Sequence, residues 1–266
     1  MPAQRIVTFT TDFGQVEHYV GAMKGVICSI NPSVQLVDIT NSVQSFDILD
    51  GAIAISQAYS YFPPDTIHMV VVDPGVGGPR RPILARAGLH VFVAPDNGVL
   101  SLVYEREEAI LVRHITGEHY FRQPVSNTFH GRDIFAAVAG YLSKGVELDK
   151  FGDEITDYAR FVAPKPKPVA PDSWKGLVLK IDKFGNVITN ITPADIPQLF
   201  QSTGKCKITV GKVEVTRLCS NYAEGAQGET FALLGSTGFL EISMNRGSAA
   251  RAAGVEKGAE VSVTIA

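Results

Sequence analysis

At 266 residues the chain is long enough for one large domain or two modest ones, and with 45% hydrophobic and 19% charged residues it can bury a substantial core. A formal net charge of -3 gives no electrostatic case for nucleic acid or an anionic membrane surface as a partner, and no apolar run is long enough to span a bilayer. Three cysteines, Cys28, Cys206 and Cys219, are odd in number and far apart; they fit neither a disulfide framework nor a zinc-ligand spacing and suit a reducing compartment.

Met1 to Arg5 leads straight into an apolar run without a signal-peptide pattern, so the chain reads as cytoplasmic. Residues 6–11 are β-branched and aromatic and predict a strand ending at Asp12-Phe13-Gly14. Val20, Met23, Val26, Ile27 and Ile30 recur at helical spacing and predict a helix over 16–30, stopped by Pro32. A strand over 34–39 contains Asp38, and a helix over 47–59 carries Ile48, Ala52, Ile55 and Tyr59 on one face. Pro63-Pro64-Asp65 then turns the chain into Val70-Val71-Val72, a strand buried on both faces. That strand stops at Asp73. Pro74, Gly75, Gly77 and Gly78 make a loop whose backbone can approach a ligand closely, and Arg80 and Arg81 follow at once. Strands over 83–86 and 90–94 come next, the second ending in Pro95-Asp96-Asn97-Gly98. A short helix over 99–104, a strand over 109–115 and a helix over 132–142 complete this part, the last introduced by Phe129-His130-Gly131-Arg132-Asp133.

Strands alternating with helices predict a three-layer α/β/α domain over 1–160 with a mostly parallel sheet. Asp12, Asp38, Asp73 and Asp96 all fall at predicted strand ends. Those ends share one edge in an open parallel sheet and line the crevice where such folds bind ligands; Asp38 is the one expected to be a turn residue. Residues 161–173 hold Pro164, Pro166, Pro168 and Pro171 and read as a stiff linker. Over 174–266, short strands at 176–181, 186–191, 206–210, 213–217, 230–234, 239–242 and 260–265 predict a small antiparallel β-barrel domain. One short helix over 194–200 is expected there, started by Thr192-Pro193.

Six stretches pair a polar group with glycine at an element boundary: Thr11-Asp12-Phe13-Gly14, Asp73-Pro74-Gly75-Val76-Gly77, Pro95-Asp96-Asn97-Gly98, Phe129-His130-Gly131-Arg132-Asp133, Asp182-Lys183-Phe184-Gly185-Asn186, and Gly235-Ser236-Thr237-Gly238 running on to Asn245-Arg246-Gly247. In this order, over nearly the whole chain, they resemble the SAM hydroxide adenosyltransferases (SAM hydrolases), the water-using relatives of fluorinase and chlorinase. The resemblance implies conversion of S-adenosyl-L-methionine (SAM) and water to adenosine and methionine, without cofactor or metal. It also implies a homotrimer whose sites lie between the first domain of one subunit and the second domain of the next. By that resemblance Asp73, Arg80 and His130 activate water, Asp12 holds the ribose hydroxyls, and Phe46 stands where halide-using relatives carry tryptophan. Asp182 meets the methionine ammonium and Ser236 its carboxylate, Asn186 contacts adenine or ribose, and Phe184 and Tyr222 stack on the base. The halide enzymes place arginine after the serine; here that residue is Thr237.

The residues support this chemistry on their own terms. A sulfonium leaves as a neutral thioether and needs no acid or metal, whereas water is a poor nucleophile. A carboxylate and an imidazole can orient it and accept its proton, with an arginine fixing the carboxylate. Charge vanishes as an anionic oxygen meets a sulfonium, so an apolar site with walls such as Val76 and Phe46 favours the transition state. Two other readings fit parts of the pattern. Asp12, Asp73, Asp96, Asn97 and His130 offer ligands for a metal-dependent phosphoesterase, though without the close spacing common in such sites. A non-catalytic adenosine or SAM sensor would have no use for the Asp73, Arg80 and His130 set. The remaining histidines show no pattern, Arg81 reads as a surface residue, and Arg132–Asp133 reads as a structural ion pair at a helix start.

Overall fold

The structure, a computed structural model, describes residues 5–201 and 206–265. Met1 to Gln4, on which the reading of the N-terminus rests, lie outside the described residues. The chain forms two compact units, with the boundary between Ala163 and Pro164. No helix among the described residues is long and apolar enough to cross a membrane.

The first unit contains β1 (Ile6–Thr11), α1 (Tyr19–Ile30), β2 (Gln35–Thr40), α2 (Ile48–Ala58), β3 (Ile67–Val71), β4 (Pro82–Ala87), β5 (His90–Pro95), α3 (Ser101–Tyr104), β6 (Ile110–His114), α4 (Ala137–Ser143) and β7 (Glu154–Ile155). Its sheet has the order β2-β1-β3-β5-β4-β6-β7. Pairings β1–β2, β1–β3 and β3–β5 are parallel, while β4–β5, β4–β6 and β6–β7 are antiparallel. The antiparallel half begins because only Gly88 and Leu89 separate β4 from β5. A connection that short can only be a hairpin.

Apolar residues face both ways from the sheet. Ile67, Met69 and Val71 of β3 join one core with α1 and α4, and Val70 and Val72 join a second core with α2 and α3. This is the two-sided burial that three consecutive valines require. Helix α1 starts at Tyr19, three residues later than its apolar spacing suggested. Val16 is exposed, and the chain before the helix is tied down by Gly14 N donating to the Asn41 carbonyl at 2.6 Å. Asp38 is neither at a strand's end nor in a turn. It sits within β2 opposite Phe9 and accepts from Lys24 Nζ at 2.6 Å.

The second unit contains β8 (Lys167–Ala170), β9 (Ser173–Ile181), β10 (Val187–Thr189), α5 (Pro197–Gln201), β11 (Cys206–Val210), β12 (Val213–Val215), β13 (Leu218–Cys219), β14 (Thr230–Leu234), β15 (Leu240–Met244), α6 (Ala249–Ala253) and β16 (Glu260–Ile265). The order is β12-β11-β16-β9-β10-β15-β14-β13, with β8 added on β9, and every pairing but β13–β14 is antiparallel. Strand β12 at one end approaches β14 near the other without pairing to it, so the sheet curls around one core as an unclosed half-barrel. The proline-rich stretch is not all linker: 167–170 pairs with 173–175, with Pro168 on an exposed edge strand that tolerates it. Helix α5 begins at Pro197 because the Thr192 amide and hydroxyl both donate to Asp195 Oδ2, closing a turn ahead of the helix.

Candidate active site

Strands β1 and β3 run parallel with Thr11 opposite Val71, so the residues that follow them emerge at one edge of the sheet. Asp12 and Asp73 leave that edge into a cleft of about 570 Å³, within the range of small-molecule sites. Its other walls are Phe13, Tyr19, Ser45, Phe46, Val76, Ser126, Thr128, Phe129, His130 and Arg132.

At its base, one guanidinium grips two other groups. Arg80 Nε donates to Asp73 Oδ1 at 3.0 Å, and Nη2 donates to Asp73 Oδ2 at 2.5 Å and to His130 Nδ1 at 2.8 Å. The Arg80 and Asp73 side chains are only 9% and 6% exposed, and the guanidinium lies 5.3 Å from the Phe135 ring centre. An arginine cannot accept a hydrogen bond, so His130 Nδ1 must be the acceptor, and the neutral ring carries its proton on Nε2. Burial, and then the Arg80 charge, hold the His130 pKa below its ordinary value and so favour that neutral form. The sequence reading gave the imidazole a share in accepting the water's proton. Here its accepting nitrogen is already occupied, and what His130 has left to offer is an N–H donor.

Asp12 Oδ2 accepts from Phe46 N at 2.9 Å, while Phe46 itself is 74% exposed on a left-handed backbone with φ of 66°. Burial pushes the Asp12 pKa up against the Phe46 amide, and the neighbouring Asp73 charge adds to the rise. The glycine loop is shaped by contact: Gly77 has φ of +77°, and a Cβ there would lie 2.3 Å from the Asn127 carbonyl oxygen. His130 stands just ahead of a π-helical turn, Gly131–Ala136, that leads into α4.

Asp96 and Asn97 do not join this cleft. Asp96 accepts from Arg81 Nε at 2.9 Å and from Ala159 N at 2.7 Å, and Asn97 Nδ2 donates to the Val72 carbonyl at 2.8 Å. Both have folding roles, and Arg81 is a brace between Asp96 and Asp157 rather than a loose surface residue. Of the five ligands a phosphoesterase reading would use, only Asp12, Asp73 and His130 share a cleft, and His130 Nδ1 and both Asp73 oxygens already accept from Arg80.

The second unit has its own cleft, of about 680 Å³, lined by Asp182, Phe184, Asn186, Tyr222, Met244, Asn245, Arg246, Gly247, Ser248 and Arg251. Asp182 organises it: Oδ1 accepts from the Phe184 and Asn186 amides and Oδ2 from Asn186 Nδ2, each at 2.9 Å. The tight turn leaves Phe184 75% exposed. Tyr222, half-exposed, donates to Glu241 Oε1 at 2.7 Å, and burial followed by that bond pushes its pKa up to about 12. Ser236 is not brought in. It lies exposed in the turn after β14 and does not line this cleft.

Sequence reasoning passed over several lining residues. Phe13, Tyr19 and Phe129 pack mutually, with ring centres 5.3 to 5.9 Å apart. Phe13 and Phe129 had a signal in their places inside two of the glycine stretches, and Tyr19 had none. Arg246 carried only its place in Asn245-Arg246-Gly247, and Arg251 no local signal beyond charge.

A family model described as the SAM hydroxide adenosyltransferase N-terminal domain matches residues 7–152, and one for the C-terminal domain matches residues 176–262. The (R)-S-adenosyl-L-methionine hydrolase of Salinispora tropica is 34% identical over 97% of either chain. That of Methanocaldococcus jannaschii is 35% identical over 90% of this chain and 88% of its own. The crystal structure of an uncharacterized conserved protein from Thermotoga maritima matches with a TM-score of 0.90 at 37% identity, covering 97% of this chain and 99% of the other.

Proposed function

This chain belongs to the SAM hydroxide adenosyltransferase family and hydrolyses SAM, and we propose that it does so by attack of an Asp73-bound water on the ribose C5′ in the cleft of its first unit. The observation that carries this reading is the fork in which Arg80 holds Asp73 and His130 together. Each Asp73 oxygen has a further lone pair after accepting from Arg80 and can take a hydrogen bond from water. The Nε2–H of His130 can donate to the same water and orient its lone pair. As the C5′–O bond forms, the C5′–S bond breaks, and its electron pair leaves with methionine as a neutral thioether. The water's proton passes through Asp73 to solvent, so SAM and water give adenosine, methionine and one proton. No step calls for a metal or a cofactor.

Asp12 suits the ribose hydroxyls, since its carboxylate lines the cleft and keeps acceptor capacity beyond the Phe46 amide, and Phe46 covers the reacting carbon. In the second unit the exposed Phe184 and Tyr222 rings, beside Asn186, suit adenine. Asp182 has acceptor capacity left for the ammonium. Ser236 is the residue proposed for the carboxylate, although the described cleft does not include it. A site using both units is most simply completed across subunits, in a homotrimer that takes its substrate in the cytoplasm. The names of the two hydrolases specify the (R) sulfonium epimer, and that epimer is the proposed substrate here.

Incubating the purified protein with each epimer and identifying products tests the reaction; recovery of SAM unchanged overturns it. Inactive Asp73→Ala and Asn186→Ala chains, unfolded and refolded together, should regain activity if sites are shared between subunits. If no mixture recovers any, each site is built within one chain.

A further inference from the structure

The cleft is walled in part by a cation. Arg132 lines it, and a bare guanidinium there would oppose a sulfonium. The guanidinium is not bare: Arg132 Nε donates to Asp133 Oδ1 at 2.7 Å and Nη2 donates to Oδ2 at 2.8 Å, with its carbon 5.0 Å from the Phe129 ring centre. Asp133 is fully buried. It also accepts from Ser126 N at 2.9 Å and from Arg122 Nη1 at 3.3 Å. Burial alone would raise its pKa, yet Arg132, the Ser126 amide and Arg122 together bring it below the ordinary carboxylate value, so the charge is present at neutral pH.

The charges around the cleft pair off. Arg80 balances Asp73 and Asp133 balances Arg132; Arg122 also reaches Asp133, but it is half-exposed and does not line the cleft, so among the lining carboxylates Asp12 is the one without an arginine, a negative group facing whatever binds. Without the Asp133 charge, Arg132 would offset Asp12 and the attraction for a cation would be gone. We propose that Asp133 is a specificity-determining residue: by neutralising Arg132 it lets the cleft discriminate in favour of a sulfonium over a neutral thioether of the same shape. The inference rests on the reading of this cleft as the SAM site. It differs from a merely structural ion pair, which would support every ligand alike.

The test uses two unreactive ligands and the native chain. One is a SAM analogue with a protonated tertiary amine nitrogen in place of the sulfonium sulfur; the other is the neutral thioether S-adenosylhomocysteine. Dissociation constants come from calorimetry. Asp133→Asn should weaken the ammonium analogue by roughly tenfold, the size of a screened unit-charge interaction within a cleft, and leave the thioether nearly unchanged. Adding Arg132→Gln to that variant should restore the analogue's affinity. Equal weakening of both ligands, or no recovery in the double variant, overturns the proposal. If Asp133→Asn does not fold, Arg132→Gln alone decides: it should tighten the analogue relative to the thioether, and an unchanged ratio overturns the proposal. Failure of the native chain to bind either ligand would instead refute the assignment of the cleft to SAM, and the proposal with it.

Discussion

Arg80→Lys keeps a positive charge and removes the fork. In the native cleft one guanidinium makes three bonds, two to Asp73 at 3.0 and 2.5 Å and one to His130 at 2.8 Å. A lysine ammonium is a single point and cannot occupy the Nε and Nη2 positions together, so at best it keeps one or two of the three. Losing two hydrogen bonds to charged or polarised partners, at about 1.5 kcal/mol each, amounts to about 3 kcal/mol. If that stabilisation is expressed in the transition state, kcat falls by roughly two orders of magnitude, while KM, set by other residues, moves little. A second consequence concerns pH. His130 must be neutral to accept from Arg80, so native activity is present above its depressed folded pKa and is lost as pH falls through it. Without a donor aimed at Nδ1 the ring takes a proton more readily, and the acid limb of the variant moves to higher pH. Chromatographic measurement of adenosine formation across that limb gives both quantities. A kcat within about fivefold of native together with an unmoved acid limb would refute the reasoning.

Asp73→Asn should keep SAM binding and lose about a hundredfold or more in turnover. In heavy-oxygen water the native enzyme should label the 5′ oxygen of adenosine; 5′-chloroadenosine formed at a rival rate in concentrated chloride would contradict the role of Asp73. Gly77→Ala forces a Cβ against the Asn127 carbonyl at a left-handed backbone position, at a cost on the order of 2 kcal/mol. It should lower the melting temperature and impair turnover by shifting the 126–128 wall, and an unaltered kcat would show that wall to be unimportant. His68, fully buried and bonded to Thr8 Oγ1 and His90 Nδ1, has its pKa pushed by burial from 6.5 to about 3. The unfolded chain takes up that proton first, so stability is lost as pH falls from 6.5 towards the folded value, by about 2 kcal/mol at pH 5. His68→Asn should flatten denaturation curves over that window, and an unchanged slope would count against the assignment. Hydrolysis should survive EDTA; loss of activity restored by a divalent ion would reopen the metal-dependent reading.

Local pattern carried the parallel half of the first sheet well, because each β–α–β step repeats one physical rule. Apolar strands bury both faces and end in a turn at the same edge. It carried the antiparallel half less well. Strands over 83–86 and 90–94 were visible, but the two-residue gap left after β4 and β5 lengthen at Gly88-Leu89 is the hairpin signal, and strand alternation alone does not weigh it. The proline stretch misled in the opposite sense. Proline excludes a central strand, yet Pro168 sits comfortably on the edge strand β8, which among the described residues pairs only with β9. The short helix α6 was missed because Ala249-Ala250-Arg251-Ala252-Ala253 has no apolar periodicity to display.

The candidate site was legible in unequal parts. Asp12 and Asp73 follow from topology, since parallel strands in register deliver their trailing residues to one place. Asp96 follows a strand too, but Arg81 and the Ala159 amide claim its oxygens, and no spacing in the sequence announces partners so far along the chain. Arg80 and His130, fifty residues apart, were joined through the family resemblance alone, and their union is what turns two carboxylates into a reaction centre. Which nitrogen accepts could not be read from residue types: an isolated Asp–His pair would let the imidazole serve as base. With Arg80 donating into Nδ1, the imidazole is left as a donor, and the proposed mechanism therefore assigns the proton to Asp73. Protonating His130 would then remove an acceptor from Arg80 and set two cations against each other at 2.8 Å, so the neutral ring is a condition of the site's geometry as well as of its chemistry.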